Sequence, residues 1–118
     1  KLSFIFITHD LATEAEISDR LMVMYAGKVA EIGTNQQIYG DQGPAHPYTK
    51  RLLAATPRLH KHIDKLKFIP GAPPDLLAPP AGCRFHLRCD LADKRCRNMV
   101  PPLAEIEPGH KVACWRCQ

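Results

Sequence analysis

The chain has 118 residues, enough for one small domain or for a piece of a larger one. Hydrophobic residues make up 45% of it, and this composition excludes an intrinsically disordered protein. The net charge of +4 is unevenly spread: residues 1–49 carry three basic and six acidic side chains, and residues 50–118 carry thirteen basic and six acidic ones.

A basic second part is compatible with a nucleic-acid or anionic partner, but Lys and Arg that solvate a core-poor segment explain it more simply. The segment has few aromatic residues, which argues against a nucleic-acid binder. No apolar run approaches the eighteen or so residues that cross a bilayer, and no secretion leader is visible. Because Lys1 is not a natural start, we expect a fragment of a longer protein.

The first predicted element is a strand over residues 3–8, whose sequence SFIFIT is apolar on both faces. Such strands are typical of parallel sheets that are covered by helices on both sides. Thr8 or Asp10 can cap a helix over residues 11–18, and residues 20–26 (RLMVMYA) form a second doubly apolar strand. The intervening dozen residues suffice for a parallel crossover, so a βαβ unit is predicted.

A hairpin and a short helix follow. Gly27 lies between two apolar runs and predicts a turn, after which residues 29–32 return antiparallel as an edge strand. Thr34 and Gln37 have the spacing of a helix capping box, and Gly40 is placed to end that helix.

The next helix begins at Pro47 and must end before Pro57. Its predicted apolar face consists of Tyr48, Leu52 and Ala55. Nine of the eleven prolines lie from residue 57 onward, and they disfavour long helices and central strands there. This segment is therefore predicted to be an irregular extension that needs a staple other than a large apolar core.

The triplet Thr8-His9-Asp10 follows the first predicted strand, at the sheet edge where open α/β sheets bind ligands. A histidine there can donate a hydrogen bond to a phosphate oxygen. On these residues alone, the simpler interpretation is that His9 only helps the strand turn into the helix.

The wider context resembles a known family. FIFITHDL, a short acidic helix and SDRLMVMYAGKVAEIGT are similar to the segment of ABC ATPases that runs from the switch histidine to the end of the catalytic core. The resemblance implies that His9 contacts the γ-phosphate of ATP, bound with Mg²⁺ between two subunits, and helps to orient the attacking water. The chain contains no P-loop, Walker-B strand or LSGGQ-like signature, so by itself it is expected to be inactive.

Five cysteines lie between residues 83 and 117, and four thiolates from an irregular loop can hold an iron–sulfur cluster or a zinc ion. The alternative is a set of buried free thiols. Zinc prefers ligand pairs two to four residues apart, and only Cys114 and Cys117 have that spacing. The wider gaps between Cys83, Cys89 and Cys96 suit the larger ligand span of a 4Fe–4S cubane somewhat better. His86 is a weaker ligand candidate.

The sequences AHPYTKRLLAATP, IPGAPPDLLAPPAGCRFHLRCDLADKRC and PPLAEIEPGHKVACW resemble the tail of the oligopeptide and dipeptide subfamily of these ATPases, which includes nickel importers. The resemblance implies a 4Fe–4S cluster, with zinc as the alternative, and leaves Cys117 as an extra cysteine. Leu87 and Asp90 depart from the family, which commonly has proline there. The implied ligands are Cys83, Cys89, Cys96 and Cys114.

The predicted fold class is α/β. Residues 1–42 form the C-terminal end of an ABC ATPase core, part of a P-loop NTPase sheet, and residues 43–118 form a proline-rich, metal-stapled extension. The resemblance implies an ATP-binding subunit at the cytoplasmic face of the inner membrane that drives import of oligo- or dipeptides. Its implied partners are a second ABC ATPase subunit, two transmembrane permease subunits and an external substrate-binding protein, with no nucleic acid. The alternative is a free-standing, cysteine-rich metal-binding module.

Overall fold

The structure is a computed structural model that describes residues 1–56 and 68–118. Residues 57–67 of the predicted extension lie outside this range. The elements in chain order are α1 (Leu11–Ile17), β1 (Arg20–Tyr25), β2 (Lys28–Thr34), α2 (Asn35–Tyr39), α3 (Pro47–Ala55), a 3₁₀ turn (His86–Arg88), α4 (Lys94–Asn98), β3 (Ala104–Glu107) and β4 (His110–Val112). The four strands form one antiparallel sheet in the order β1-β2-β4-β3.

The hairpin between β1 and β2 confirms the turn predicted at Gly27. Ala26 and Gly27 both have positive φ, 47° and 77°, as the two central residues of a type I′ turn require. The predicted edge position of β2 is wrong, however, because Glu31 pairs with Val112 and Ile32 with Lys111 on its other side. β2 is thus an interior strand, since a strand about eighty residues further along the chain covers its second edge.

The strand predicted over residues 3–8 is not formed, and the βαβ unit is therefore not seen. Residues 1–10 are all exposed, with Ile5 and Ile7 above nine-tenths. A doubly apolar strand needs ladder partners and cover on both faces, and none of the described strands pairs with this segment. β1 was also predicted to be apolar on both faces, but it buries only alternate residues, and its Met22 and Met24 are more than half exposed.

The predicted helix boundaries are largely confirmed. α1 is capped by Asp10, which accepts hydrogen bonds from the N–H groups of the first turn. Thr34 and Gln37 form the reciprocal capping box of α2, and Gly40 follows its last residue. Pro47 opens α3, whose buried side is centred on Thr49 and Leu53.

That buried side lies one position beyond the predicted face of α3. Tyr48, Leu52 and Ala55 are only half-buried, because α3 packs between two small apolar clusters and not onto one flat sheet. The first cluster consists of Leu21, Ile38 and Leu53, with Leu11 and Tyr39 against it. The second consists of Tyr25, Ala30 and Phe85, with Cys83 and Cys89 among the side chains that pack on it.

Residues 68–118, the described part of the proline-rich segment that follows α3, have only short elements, as the prolines predict. Its longest helix has five residues and its longest strand four. The extension is nevertheless joined to the sheet, because β3 and β4 continue it beyond β2. The sequence analysis missed this hairpin.

Candidate functional site

The four predicted ligand cysteines lie in one neighbourhood beside the second apolar cluster. The N–H of Cys83 donates to the carbonyl of Cys96 at 2.8 Å, which joins the start of the loop to α4. Cys96 and Cys114 are buried, at 6% exposure each, whereas Cys83 and Cys89 are half-buried. Cys114 follows β4 and thus returns from the sheet to the same region.

A glycine lets the loop approach α4 closely. Gly82 has φ +71°, and a Cβ built on it would lie 2.4 Å from the carbonyl oxygen of Cys96. Only glycine adopts this left-handed conformation without strain, and only glycine lacks the Cβ atom that would collide with Cys96. Asp93 caps the start of α4, and its carboxylate accepts the N–H of Cys96 at 2.9 Å. Burial, the hydrogen bond from the Cys83 N–H and the hydrogen bond to the Asp93 carboxylate therefore fix the position of Cys96.

Two arginines hold the segment around Cys89. Arg88 donates to the carbonyls of Ile69 and Pro70, both at 3.0 Å, and its guanidinium lies 3.2 Å from the hydroxyl of Tyr25. Arg51 of α3 donates to the Arg88 carbonyl at 2.9 Å and forms an ion pair with Asp90. Asp90 thus has a partner that a proline at this position could not have.

The thiols lie close enough to one another for their charges to interact. Burial raises the pKa of Cys83 and of Cys89, and negative charge on Cys96 and Cys114 raises both further. Main-chain N–H groups oppose this effect: that of Phe85 lowers the pKa of Cys83. Burial is also the main cause that raises the pKa of Cys96.

Cys114 differs from the other three. A hydrogen bond from the Cys117 thiol is the main cause that lowers its pKa, and the main-chain N–H groups of Arg116 and Cys117 and the charge of Arg116 add to it. The pKa of Cys117 is raised by the same contact and by burial. The more acidic of these two thiols is therefore Cys114, the predicted fourth ligand.

The neighbouring thiols do not converge on one point. Within residues 1–56 and 68–118, no group of three or more His, Cys, Asp or Glu side chains is placed so that it could hold a metal ion. All five cysteines are free thiols. The Nδ1 atom of His86 lies 2.8 Å from the Cys83 carbonyl oxygen, so the main chain occupies this ring nitrogen. The donor types suit a soft metal centre, but the ligand geometry is not formed.

His9 lies on the surface just before α1. It is exposed, and next to it the N–H of Asp10 donates to the Thr8 hydroxyl at 3.0 Å. A cavity of about 330 Å³ lies elsewhere, beside Cys83 and Phe85. The role of His9 at a nucleotide stays a prediction, because the chain has none of the phosphate-binding motifs that would surround it.

The sequence analysis missed a buried carboxylate–imidazole network. Glu31 of β2 is fully buried and accepts hydrogen bonds from the N–H groups of Ala45, at 2.7 Å, and His46, at 3.1 Å. Its Oε1 also lies 2.6 Å from Nε2 of the buried His110, whose Nδ1 lies 3.0 Å from Glu107. The network joins β2, the start of α3 and the β3–β4 hairpin.

Only one signal for this network is present in the sequence: Glu31 interrupts the apolar run of β2. An acidic residue inside a strand is more often solvent-exposed than buried. Its partner His110 is about eighty residues away, and a single sequence does not reveal that they meet.

Residues 30–96 match the family model described as oligopeptide/dipeptide transporter, C-terminal region. The chain belongs to this family. The matched range includes most of β2, all of α3 and the first three predicted ligand cysteines, so the resemblance noted from the sequence is confirmed.

Curated relatives of this family cover nearly all of the chain. The dipeptide transport ATP-binding protein DppD of Bacillus subtilis is 46% identical over 114 residues, which are 97% of this chain and 33% of DppD. The dipeptide transport ATP-binding protein DppF of Haemophilus influenzae is 43% identical over 97% of this chain and 35% of its own length. The di/tripeptide transport ATP-binding protein DppF of Pseudomonas aeruginosa is 43% identical over the whole chain and 36% of its own length.

The chain thus spans about a third of the length of the curated relatives it matches. In the part of this family member that the structure describes, no helix is long and apolar enough to cross a membrane.

Proposed function

We propose that this chain belongs to the ATP-binding subunit of an ABC importer, which couples hydrolysis of ATP with Mg²⁺ to the import of oligo- or dipeptides. The observation that carries the proposal is the match of residues 30–96 to the transporter family, together with relatives that are named as peptide transport ATP-binding proteins. A family match of this extent favours the subunit over a free-standing metal-binding module.

The subunit would lie at the cytoplasmic face of the membrane and act with a second ATPase subunit and two permease subunits. An external protein would deliver the peptide. The exposed apolar segment of residues 3–8 favours an ATPase subunit over a free-standing module, since a strand of this kind needs sheet neighbours that the described strands do not provide. Nickel is the alternative cargo.

In this proposal His9 contacts the terminal phosphate of ATP and orients the attacking water. Its exposed position leaves the imidazole free to meet a nucleotide held by other parts of the protein. The test is ATP hydrolysis by the protein expressed from its complete gene. His9→Ala should retain ATP binding and lose about 10²-fold or more in kcat, in line with loss of a group that positions the nucleophile.

Glu16→Gln is the matched control, because Glu16 is an exposed charged residue of the adjacent helix α1. It should leave hydrolysis unchanged. Equal rates for the wild type and His9→Ala would contradict the assigned role of His9, and a wild type that neither binds nor hydrolyses ATP would contradict the proposed function itself.

We also propose that Cys83, Cys89, Cys96 and Cys114 hold a 4Fe–4S cluster, with zinc as the alternative. Three observations support this: the thiols are neighbours, they are at least half-buried, and main-chain N–H groups lie against Cys83, Cys89 and Cys114. When bound, such a centre would supply the staple that a core-poor, proline-rich extension needs.

Metal analysis of the purified protein tests this assignment. The wild type should carry about four iron and four sulfide per chain with broad visible absorbance, and Cys96→Ser should lose both. Cys117→Ser should keep them, since Cys117 is outside the proposed ligand set. A colourless protein with one zinc per chain would support the alternative, and a protein with neither metal would refute both.

A further inference from the structure

We propose that the cavity between the β1–β2 hairpin and the extension binds a small amphiphilic anion, namely an aliphatic monocarboxylate without an amino group. The aliphatic chain would fill the cavity, and the carboxylate would meet Lys28 and Arg84, which belong to its lining. Neither the ATPase function nor the cluster proposed above is needed for this binding. It depends only on the shape, the apolar lining and the charges of the cavity.

The cavity has a volume of about 330 Å³, which lies at the lower end of the range for small-molecule sites. On one side it is lined by the β1–β2 hairpin, including Tyr25 and Ala30. On the other side it is lined by the extension, including Phe85, Val100 and Leu103. A bound ligand would therefore join two segments that are far apart in the sequence.

Aromatic packing holds the inner wall of the cavity in place without a ligand. Tyr25 and Phe85 are buried, and their rings pack edge to face with centroids 5.2 Å apart. The Tyr25 hydroxyl also accepts a hydrogen bond from Arg88 at 3.2 Å. A ligand does not have to order this wall, and the entropic cost of binding is lower for that reason.

The outer part of the lining exposes apolar side chains to water. Val100 is 61% exposed and Leu103 is 39% exposed, whereas Pro101 between them is buried. Single exposed apolar residues are ordinary on a protein surface. These two line the same cavity, however, so one small aliphatic chain can cover both and remove their surface from water.

The charged residues in the lining are all basic. They are Lys28 and Arg84, and no Asp or Glu is among the lining residues. Within the described part of the chain, neither of the two forms an ion pair. Long, flexible stems let both cationic ends reach an anion at the opening. Two cations without an acidic neighbour in the lining attract a carboxylate and repel an ammonium group.

His46 also lines the cavity but does not add a third cation. Its Nδ1 accepts the Tyr48 N–H at 3.0 Å, and burial lowers its pKa, so the ring is neutral at about pH 7. Glu31, whose charge acts on His46, is outside the lining, and its oxygens already accept hydrogen bonds from three donors. The inner wall is therefore neutral.

The cavity lies to one side of the cysteine neighbourhood. Cys83 is the only predicted ligand cysteine in its lining, and the proposed ligand needs no contact with this thiol. The cavity and the candidate metal site can therefore be tested separately.

The lining selects against other classes of small molecule. A nucleotide carries several negative charges, and two cations in a mostly apolar lining leave most of them without a partner. A free amino acid or peptide brings an ammonium group that finds no acidic partner in the lining. A neutral hydrocarbon makes no use of the two cations. An aliphatic monocarboxylate uses both the apolar lining and its charge.

Isothermal titration calorimetry with the protein expressed from its complete gene tests the proposal. Octanoate should bind to one site per chain, and octylamine, which has the same chain and the opposite charge, should not bind at the same concentrations. From hexanoate to octanoate the affinity should rise about fourfold for each added methylene group, since each buried methylene contributes to the free energy of binding.

Substitutions assign the binding to this cavity. Arg84→Gln should weaken octanoate binding about tenfold or more, because Arg84 is half-buried. Lys28→Gln should weaken it about two- to fivefold, because Lys28 is exposed and its charge is screened by water. Leu103→Trp leaves less room for the chain and should reduce the gain per methylene group. Lys111→Gln is the matched control, since Lys111 is an exposed lysine of β4 outside the lining, and it should bind like the wild type.

Thermal unfolding without ligand should give the wild-type midpoint for Arg84→Gln and Lys28→Gln, so that weaker binding is not a loss of fold. No binding of octanoate by the folded wild type would overturn the inference, as would equal affinities for the wild type and the variant that combines Lys28→Gln with Arg84→Gln. Leucyl-leucine that binds as tightly as octanoate would also overturn it, because the site would then accept an ammonium group.

These outcomes are independent of the proposed function. A protein that hydrolyses ATP but does not bind octanoate refutes only the anion site. A protein that binds octanoate but neither binds nor hydrolyses ATP refutes only the proposed ATPase function.

Discussion

The buried carboxylate of Glu31 should contribute more to stability than any other single charge in the described structure. Its side chain is fully buried and is surrounded by three donors: two main-chain N–H groups and the imidazole of His110. Glu31→Gln keeps the shape but turns one oxygen into an NH₂ group. The new NH₂ group then faces at least one of these three donors, and that donor loses its acceptor.

The size of the effect follows from these contacts. A buried donor left without a partner costs about 1–3 kcal/mol. His110 keeps its second partner, Glu107, so it is not left entirely unpaired. We therefore expect Glu31→Gln to lower the free energy of unfolding by about 2–3 kcal/mol.

The assay combines urea unfolding with amide hydrogen exchange. The amides of Ala45 and His46, which donate to Glu31, should lose protection in Glu31→Gln, whereas amides in the β1–β2 ladder should lose less. Glu107→Gln is the control because its carboxylate is 47% exposed and faces the same imidazole; it should cost under about 1 kcal/mol. Equal costs for the two variants would show that burial of Glu31 does not set its contribution.

Two further predictions concern the loop glycine and the cap of α3. Gly82→Ala should destabilise the protein more than Gly43→Ala. Both glycines have positive φ, which costs an alanine about 1–2 kcal/mol, but only at Gly82 would the new Cβ also collide with the Cys96 carbonyl. Thermal unfolding measures this difference, and equal shifts would contradict it. Burial lowers the pKa of His46, so the unfolded chain takes up its proton first, and stability should fall as the pH drops below about 6.5. His46→Asn keeps an acceptor for the Tyr48 N–H. In this variant the midpoint of urea unfolding should decline less between about pH 7.5 and pH 5 than in the wild type. An equally steep decline would exclude His46 as the cause of the pH dependence.

Local sequence signals predicted the elements whose causes are local. The type I′ turn at Gly27, the capping box of Thr34 and Gln37 and the start of α3 at Pro47 each depend on residues within one turn of one another. Such elements are determined by neighbouring residues in the sequence, so they can be predicted without their tertiary contacts.

Elements that depend on distant partners could not be predicted in this way. The apolar run at residues 3–8 was predicted as a strand, but strand formation requires a ladder partner that the described strands do not supply. β2 was predicted at an edge because nothing in its sequence shows that β4 will pair with it. Glu31 was not singled out as functional or buried, because its burial becomes tolerable only once His110 and two main-chain amides surround it.

The candidate site falls between these cases. Cysteine count and the oligopeptide-transporter pattern predicted four ligand thiols, and this assignment stays a prediction. The structure places the four cysteines in one neighbourhood, with the Cys83 N–H bonded to the Cys96 carbonyl, but within the described residues they do not form a metal-holding group. The turn in which the Cys117 N–H donates to the Cys114 carbonyl could not be inferred from spacing alone, since two cysteines three positions apart also fit a zinc pair.

The pairing of β2 with β4 also fixes an order of events during synthesis. β2 can pair with β1 as soon as both strands have been synthesised, whereas its second edge must wait for residues 110–112, about eighty positions later. Contacts of such long sequence separation form late, since the intervening chain must first be closed into a loop. Until then the nascent chain has an unpaired strand edge, and Glu31 lacks its hydrogen bond from His110. The unpaired edge is the feature to which chaperones or strands of other chains would bind.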